Sequence, residues 1–194
     1  MEKFTALHST AVPLPVENID TDQIIPARFL KVTDKIGFGN HLFCDWRYDS
    51  NHNPIENFVL NNPKYSGTIL VAGNNFGCGS SREHAAWALA DYGFKAVISS
   101  YFADIFKANA LNNGILPIVV SPIFLQNLLA VTTNNPETPI EINLEKQTVC
   151  YNSETENFEI DNYKKICLIN GYDDIDFLLN SLPKIEQFEK QHRS

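Results

Sequence analysis

Apolar positions along the chain change their period several times, and each change marks an element. Residues 68–72, Thr-Ile-Leu-Val-Ala, read as a buried strand that runs through a glycine-containing loop, residues 73–79, into a helix over residues 82–92. Gly93 supplies the stop for that helix. A strand over 96–100, a helix over 103–113 and a strand over 115–120 follow, which completes a βαβαβ pattern and predicts an α/β fold with a parallel or mixed sheet. Ahead of this unit, residues 4–15 read as one early strand, ending at Pro13 and Pro15. Next comes a turn-forming loop, Asn18-Ile-Asp-Thr-Asp-Gln-Ile-Ile-Pro26, whose Asn, Asp and Thr side chains bond local backbone. Residues 37–63 hold no period of 2 or 3.6 and read as a functional loop or lid. Beyond Pro122 the pattern predicts an amphipathic helix to about Val131, strands over 140–144 and 148–151, and two short helices over 173–180 and 184–191. With no linker or repeat, residues 1–194 read as one domain, its core over about 4–120 and its C-terminal strands and helices over about 122–194.

Composition narrows the function classes. At 194 residues and 44% hydrophobic content the chain can bury a core without disulfide or metal staples. Fifteen Lys+Arg against 23 Asp+Glu, with no basic run, remove the electrostatic footprint of a nucleic-acid binder and of an anionic-membrane binder. The longest apolar run, residues 115–120, contains Pro117 and is far shorter than the roughly 18–20 residues of a membrane span. The first fifteen residues lack the apolar core of a secretory signal, so a cytoplasmic location is expected. Cys44, Cys78, Cys150 and Cys167 form no C-x-x-C pair, which argues against a metal site private to this chain; Cys44, Cys150 and Cys167 read as small buried hydrophobes. Residues 137–161 carry seven acidic side chains and one lysine and read as a solvated acidic face on a terminal hairpin.

The chemistry concentrates in Asn75-Phe-Gly-Cys-Gly-Ser-Ser-Arg-Glu-His-Ala-Ala86. Ser80-x-x-Glu83 has the form of a capping box, a structural device. Three features point beyond that reading. Gly77 and Gly79 allow positive φ or close approach of a ligand. A helix N-terminus favours an anion, and Arg82 adds a planar fork suited to a carboxylate. A serine is a poor base in water, but aligned amides and a guanidinium in a water-poor pocket can stabilise its alkoxide. His84 is expected to serve as a local hydrogen-bond partner rather than as the base of a triad. The loop lacks the lysine of a phosphate-binding P-loop, and Arg82 stands where a dinucleotide fingerprint has its last glycine.

Gly77-Cys-Gly-Ser-Ser-Arg-Glu-His-Ala85, with Asn18-Ile-Asp-Thr-Asp-Gln-Ile-Ile-Pro-Ala-Arg-Phe-Leu30, resembles the swivelling domain of the aconitase superfamily. More narrowly, His41-Leu-Phe-Cys-Asp-Trp-Arg-Tyr48 and Tyr101-Phe-Ala-Asp-Ile-Phe106 are similar to the small subunits of bacterial 3-isopropylmalate dehydratase. The likeness runs in order from about residue 4 to 120 and more weakly beyond. It implies an aconitase-like α/β swivelling domain, a three-layer β/β/α arrangement with a mixed, partly parallel sheet. It also implies a hydro-lyase subunit of leucine biosynthesis that interconverts 2-isopropylmalate and 3-isopropylmalate through 2-isopropylmaleate. On this resemblance the chain binds no cofactor itself, and the partner large subunit carries a 4Fe-4S cluster.

By the family motif Ser80 matches the alkoxide that removes the proton next to a carboxylate, and Arg82 the arginine that supports it. Asp22 matches an acidic active-site side chain, with a turn-forming role as the plainer reading. Ser81 and Gly79 share the substrate-binding turn; Arg47 is the candidate for the substrate carboxylate, its alternative a surface ion pair. The segment Arg28-Phe-Leu-Lys-Val32 matches the specificity loop, where Phe29 or Leu30 meets the isopropyl group or simply packs in the core. Two other readings stay open: the small subunit of a related methylmalate (citraconate) or homocitrate hydro-lyase, and a non-catalytic anion-binding domain.

Overall fold

The early apolar segment folds as two strands, not one: β1 (Ala6–Ser9) and β2 (Ala11–Leu14) part at Thr10 and enter different sheets. The computed structural model, which describes residues 2–31 and 36–192, places β2 at the edge of a parallel sheet. Its other strands are β3 (Ile69–Ala72), β4 (Ala96–Ser99) and β5 (Leu116–Val119), in the order β2-β3-β4-β5. Strands β2, β3 and β4 are buried at every position, as their unbroken apolar runs require, because both faces of the sheet are covered. The crossovers are α1 (Glu83–Tyr92), which ends at Gly93 with φ 111°, and α2 (Asp104–Asn112).

The second sheet is antiparallel, β1 pairing with β6 (Ile140–Asn143), then β7 (Thr148–Tyr151) and β8 (Glu154–Asn157). In β6, Ile140 and Ile142 are buried while Glu141 is exposed, the alternation of a sheet with one covered face. The mixed pairing expected of one sheet is thus resolved into one parallel and one antiparallel sheet. Two cores fill the layers. Val12, Leu70 and Val97 pack with Ala85, Leu89 and Phe106 of the helices. Ile69, Val71, Ile98 and Ile118 pack on the other face with Ile140, Ile142, Val149 and Tyr151. Each Val, Leu, Ile or Phe among them contributes about 1.5–3 kcal/mol on full burial.

Residues 18–30 hold one turn of helix, Thr21–Ile24, and a 3-10 turn, Ala27–Phe29. The stretch expected as a loop or lid is packed: Phe38, Leu42, Phe43 and Leu60 are buried, and the helical turn Cys44–Arg47 sits within it. Its compactness comes from buried aromatics at irregular spacing, which no period reveals.

The C-terminal region departs most from expectation. After the helix Pro122–Asn134, capped by Ser121, and the antiparallel strands, the helix Asn162–Asn170 runs from an Asp161 cap to Gly171. The two short helices are one continuous helix, Asp174–His192, with Pro183 inside it. Proline removes a single backbone bond there, and Ile175, Leu178, Leu182 and Ile185 keep helical spacing through it. The acidic stretch is only partly a solvated face. Glu156 accepts bonds from the Ser121 amide and hydroxyl, and Glu154 accepts one from the Tyr151 hydroxyl at 2.7 Å. Cys44 and Cys167 are buried, whereas Cys150 is half-buried and accepts a bond from the Thr155 hydroxyl. Among the described residues no helix is long and apolar enough to cross a membrane.

Candidate active site at the entrance of α1

Asp20-x-x-Gln23 forms the real capping box of this region. The Gln23 amide donates to Asp20 Oδ1 at 2.8 Å and the Asp20 amide donates to Gln23 Oε1 at 2.8 Å. That turn presents Asp22 outward while burying Thr21 and Ile24. The expected box at Ser80 does not form: α1 begins at Glu83, Arg82 occupies its N-cap position, and no side chain caps the helix. Ser80 and Ser81 lie ahead of the helix, in the loop, and are exposed. A serine that caps a helix has its oxygen engaged by backbone amides, so this placement frees the pair for other chemistry.

The two motifs, far apart in sequence, are strapped together by backbone. Amides of Gly77 and Cys78 donate to the Ile19 carbonyl at 2.8 and 3.2 Å, and the Thr21 amide donates to the Cys78 carbonyl at 2.9 Å. The Thr21 hydroxyl donates to the Ser80 carbonyl at 3.0 Å, and Asn75 Nδ2 donates to Asn18 Oδ1 at 2.8 Å. The loop reaches this position through three left-handed residues, Asn75 at φ 61°, Gly77 at φ 75° and Gly79 at φ 87°. A Cβ on Gly77 would lie 2.2 Å from the Phe106 ring; one on Gly79 would stand 3.3 Å from Asp20 Cβ. Gly77 is therefore required for packing and Gly79 for conformation.

The strap delivers Asp22 to Arg82, whose Nη1 donates to Asp22 Oδ1. The Arg82 side chain is 16% exposed and Asp22 52%, so the guanidinium is sheltered and the carboxylate faces outward. The Arg82 hydrogen bond holds the Asp22 carboxyl below the usual range, so it is ionised at neutral pH. A guanidinium has five N–H donors, and the bond through Nη1 leaves the fork able to bind an anion as well.

Ser80, Ser81, Gly79, Arg82 and Asp22 are thus brought together; Arg47 has another task. Its Nε donates to Asn61 Oδ1 at 3.3 Å and its Nη1 to the Gly39 and Leu42 carbonyls at 3.3 and 3.4 Å. The guanidinium also lies 5.1 Å from the ring centres of both Tyr48 and Tyr92. The structure spends Arg47 on holding the 37–63 segment to α1, in place of the substrate carboxylate or the surface ion pair expected of it. His84 likewise packs between rings, 5.5 Å from Phe38 and 4.4 Å from Trp87, rather than in the expected local hydrogen-bonding role.

Phe29 and Leu30 are both half-buried. Phe29 stacks on His41 with ring centres 4.0 Å apart, and the Leu30 amide closes the 3-10 turn on the Ala27 carbonyl. Val32, at the end of the expected specificity segment, lies outside the described residues. Burial, followed by the nearby Arg28 charge, lowers the His41 pKa. Sequence reading missed the Asp20/Gln23 box and the Arg28–Asp45 pair, in which Arg28 Nη1 donates to Asp45 Oδ2 at 3.0 Å and Nη2 to Asp45 Oδ1. The D-x-x-Q spacing was the available signal for the first; nothing in the sequence pattern marks the second.

Among the described residues no group of three or more His, Cys, Asp or Glu side chains is placed to hold a metal ion. All four cysteines are free.

The family model of the aconitase C-terminal domain matches residues 1–122. The small subunit of 3-isopropylmalate dehydratase from Christiangramia forsetii is 64% identical, over 100% of this chain and 95% of its own length. The corresponding subunit from Cytophaga hutchinsonii is 58% identical over 98% and 96%. The crystal structure of 3-isopropylmalate dehydratase from Methanocaldococcus jannaschii superposes with a TM-score of 0.66 at 28% identity, covering 95% of this chain and 99% of that one.

Proposed function

The chain belongs to the aconitase C-terminal domain family and, within it, to the 3-isopropylmalate dehydratase small subunits; from that premise we propose how its residues serve the reaction. It is the small subunit of a hydro-lyase of leucine biosynthesis, acting in the cytoplasm. It interconverts 2-isopropylmalate and 3-isopropylmalate through 2-isopropylmaleate.

Ser80, as its alkoxide, takes the proton from the carbon next to a substrate carboxylate. The C–H electron pair becomes the second bond of the alkene as the hydroxyl on the neighbouring carbon departs. Hydration of 2-isopropylmaleate runs the same transfer in reverse, with water added at either alkene carbon. Arg82 stabilises the alkoxide, and Asp22 fixes the guanidinium against the loop. The turn of Gly79 and Ser81 borders the bound carboxylate, and Phe29 and Leu30 supply the apolar side. Lewis-acid activation of the departing hydroxyl is supplied by a 4Fe-4S cluster on the large subunit when that partner is bound.

The observation that carries this reading is the strap that joins Asn18–Asp22 to Gly77–Arg82 and places the Arg82–Asp22 pair beside an uncapped serine loop. The exposure of Ser80 supports the need for a partner, because an alkoxide requires a water-poor wall that this chain does not itself supply.

Co-expression with a 3-isopropylmalate dehydratase large subunit, followed by an anaerobic assay, tests the proposal. The pair should hydrate 2-isopropylmaleate, and the purified chain alone should be inactive and iron-free. A preference of the pair for citraconate over 2-isopropylmaleate would overturn the substrate assignment.

A further inference from the structure

A buried hydroxyl lies directly behind the serine loop. Thr21 is 2% exposed, and among the described residues its hydroxyl makes a single hydrogen bond, to the Ser80 carbonyl at 3.0 Å. Backbone fixes the residue from two further sides. Its amide donates to the Cys78 carbonyl at 2.9 Å, and its own carbonyl accepts from the Ile25 amide at 3.0 Å. Thr21 also opens the helical turn that the Asp20/Gln23 box caps, and Ile24 and Ile25 hold that turn in the core at 0% exposure. The next residue in the turn is Asp22, so adjacent side chains reach the backbone of Ser80 and the guanidinium of Arg82.

The carbonyl that Thr21 holds belongs to the peptide joining Ser80 to Ser81. That peptide is trans, and a planar trans unit points its C=O and its N–H in opposite directions. With the carbonyl turned inward to Thr21, the Ser81 amide is turned to the other side, where Ser80 and Ser81 are exposed. This amide makes no hydrogen bond among the described residues, so it is open to an anion. The peptide has little else to set its rotation. Gly79, ahead of it, sits in the left-handed region with no side chain to pack, and no side chain caps α1 behind it.

We propose that Thr21 is a positioning residue for the base: its hydroxyl fixes the Ser80–Ser81 peptide so that the Ser81 amide stabilises the Ser80 alkoxide. Thr21 itself touches no reacting atom. A donor held in place before the charge forms needs no reorganisation when it does, and in a site closed by a partner it is not screened by water. Without the tether the peptide rotates, the amide leaves the alkoxide, and the hydroxyl becomes harder to ionise. The proposal rests on the functional reading above and adds to it the device that tunes the serine.

The test uses the small subunit paired with its large subunit, assayed anaerobically for hydration of 2-isopropylmaleate across a range of pH. Thr21→Val removes the donor and keeps the branched shape. The rising limb of kcat with pH should move upward by about one unit, a loss of about tenfold at a fixed pH on that limb, with KM within about threefold. Thr21→Ser keeps the donor and should leave the limb in place with kcat within about threefold. Where the valine variant does not co-purify with the large subunit, Thr21→Cys replaces it, and its weakly donating thiol should move the limb in the same direction. A loss by the same factor at every pH, an unmoved profile, or a serine variant as impaired as the valine one would show a packing role and overturn the proposal. Inactivity of the wild-type pair towards 2-isopropylmaleate would instead overturn the functional reading, and the role of Thr21 with it.

Discussion

Arg82 bonds Asp22 across 60 residues of sequence, joining the helix turn of the N-terminal segment to the entrance of α1. One partner is sheltered and the other open, so the pair orients a guanidinium without withdrawing it from solvent-borne ligands.

Replacing Asp22 with Asn keeps the shape of the site but removes the charge that orients Arg82. Turnover of the assembled enzyme should fall about tenfold to a hundredfold, with little change in the melting temperature of the isolated chain, since exposed pairs contribute about 0–1 kcal/mol. Steady-state kinetics beside a thermal melt checks this; a large loss of stability with unchanged kcat would make the pair structural.

Much of this arrangement was legible beforehand. Strong periods and the Gly93 stop marked β3, β4, β5, α1 and α2, and the serine loop announced itself through its two glycines and Arg82. What escaped was decided by tertiary structure. Residues 4–15 look continuous, yet Thr10 sends its two halves into different sheets. Strand β8 reads Glu-Thr-Glu-Asn, polar throughout, and forms only because β7 offers an edge. Arg47 has the same local sequence signature whether it binds a carboxylate or a row of backbone carbonyls. Only the positions of Gly39, Leu42 and Asn61 decide between them.

The two loop glycines should respond differently to alanine. Gly77→Ala forces a Cβ against the Phe106 ring in a left-handed backbone and should cost about 2–4 kcal/mol. Gly79→Ala meets only a tight contact with Asp20 and should cost about 1 kcal/mol, mostly as backbone strain. Urea unfolding of both variants measures the difference, and equal costs would contradict the distinct roles given to them.

Arg47→Met keeps the apolar stem but withdraws the donors that serve Gly39 and Leu42. The isolated chain should lose about 2 kcal/mol before any partner is added. A substrate-binding arginine would give the opposite pattern, normal stability with a raised KM in the assembled enzyme.

His41 gives a pH signature. Its folded pKa lies below the ordinary 6.5 because burial, and then Arg28, disfavour the imidazolium. In the window between that lowered value and 6.5 the unfolded chain binds more protons, so stability falls as pH drops through it and is fully present above it. Replacing Arg28 with Met should move the His41 titration, followed by NMR, towards 6.5. An unchanged titration point would remove Arg28 from the surroundings of the ring.

The claim on which the rest depends is that Ser80 acts as the base from a loop completed by a partner subunit. Its most direct test is the rate at which the assembled pair carrying Ser80→Ala hydrates 2-isopropylmaleate, measured anaerobically on protein that co-purifies with the large subunit as wild type does. A fall of about a thousandfold in kcat with assembly retained is the predicted result. A rate within a few-fold of wild type would contradict it.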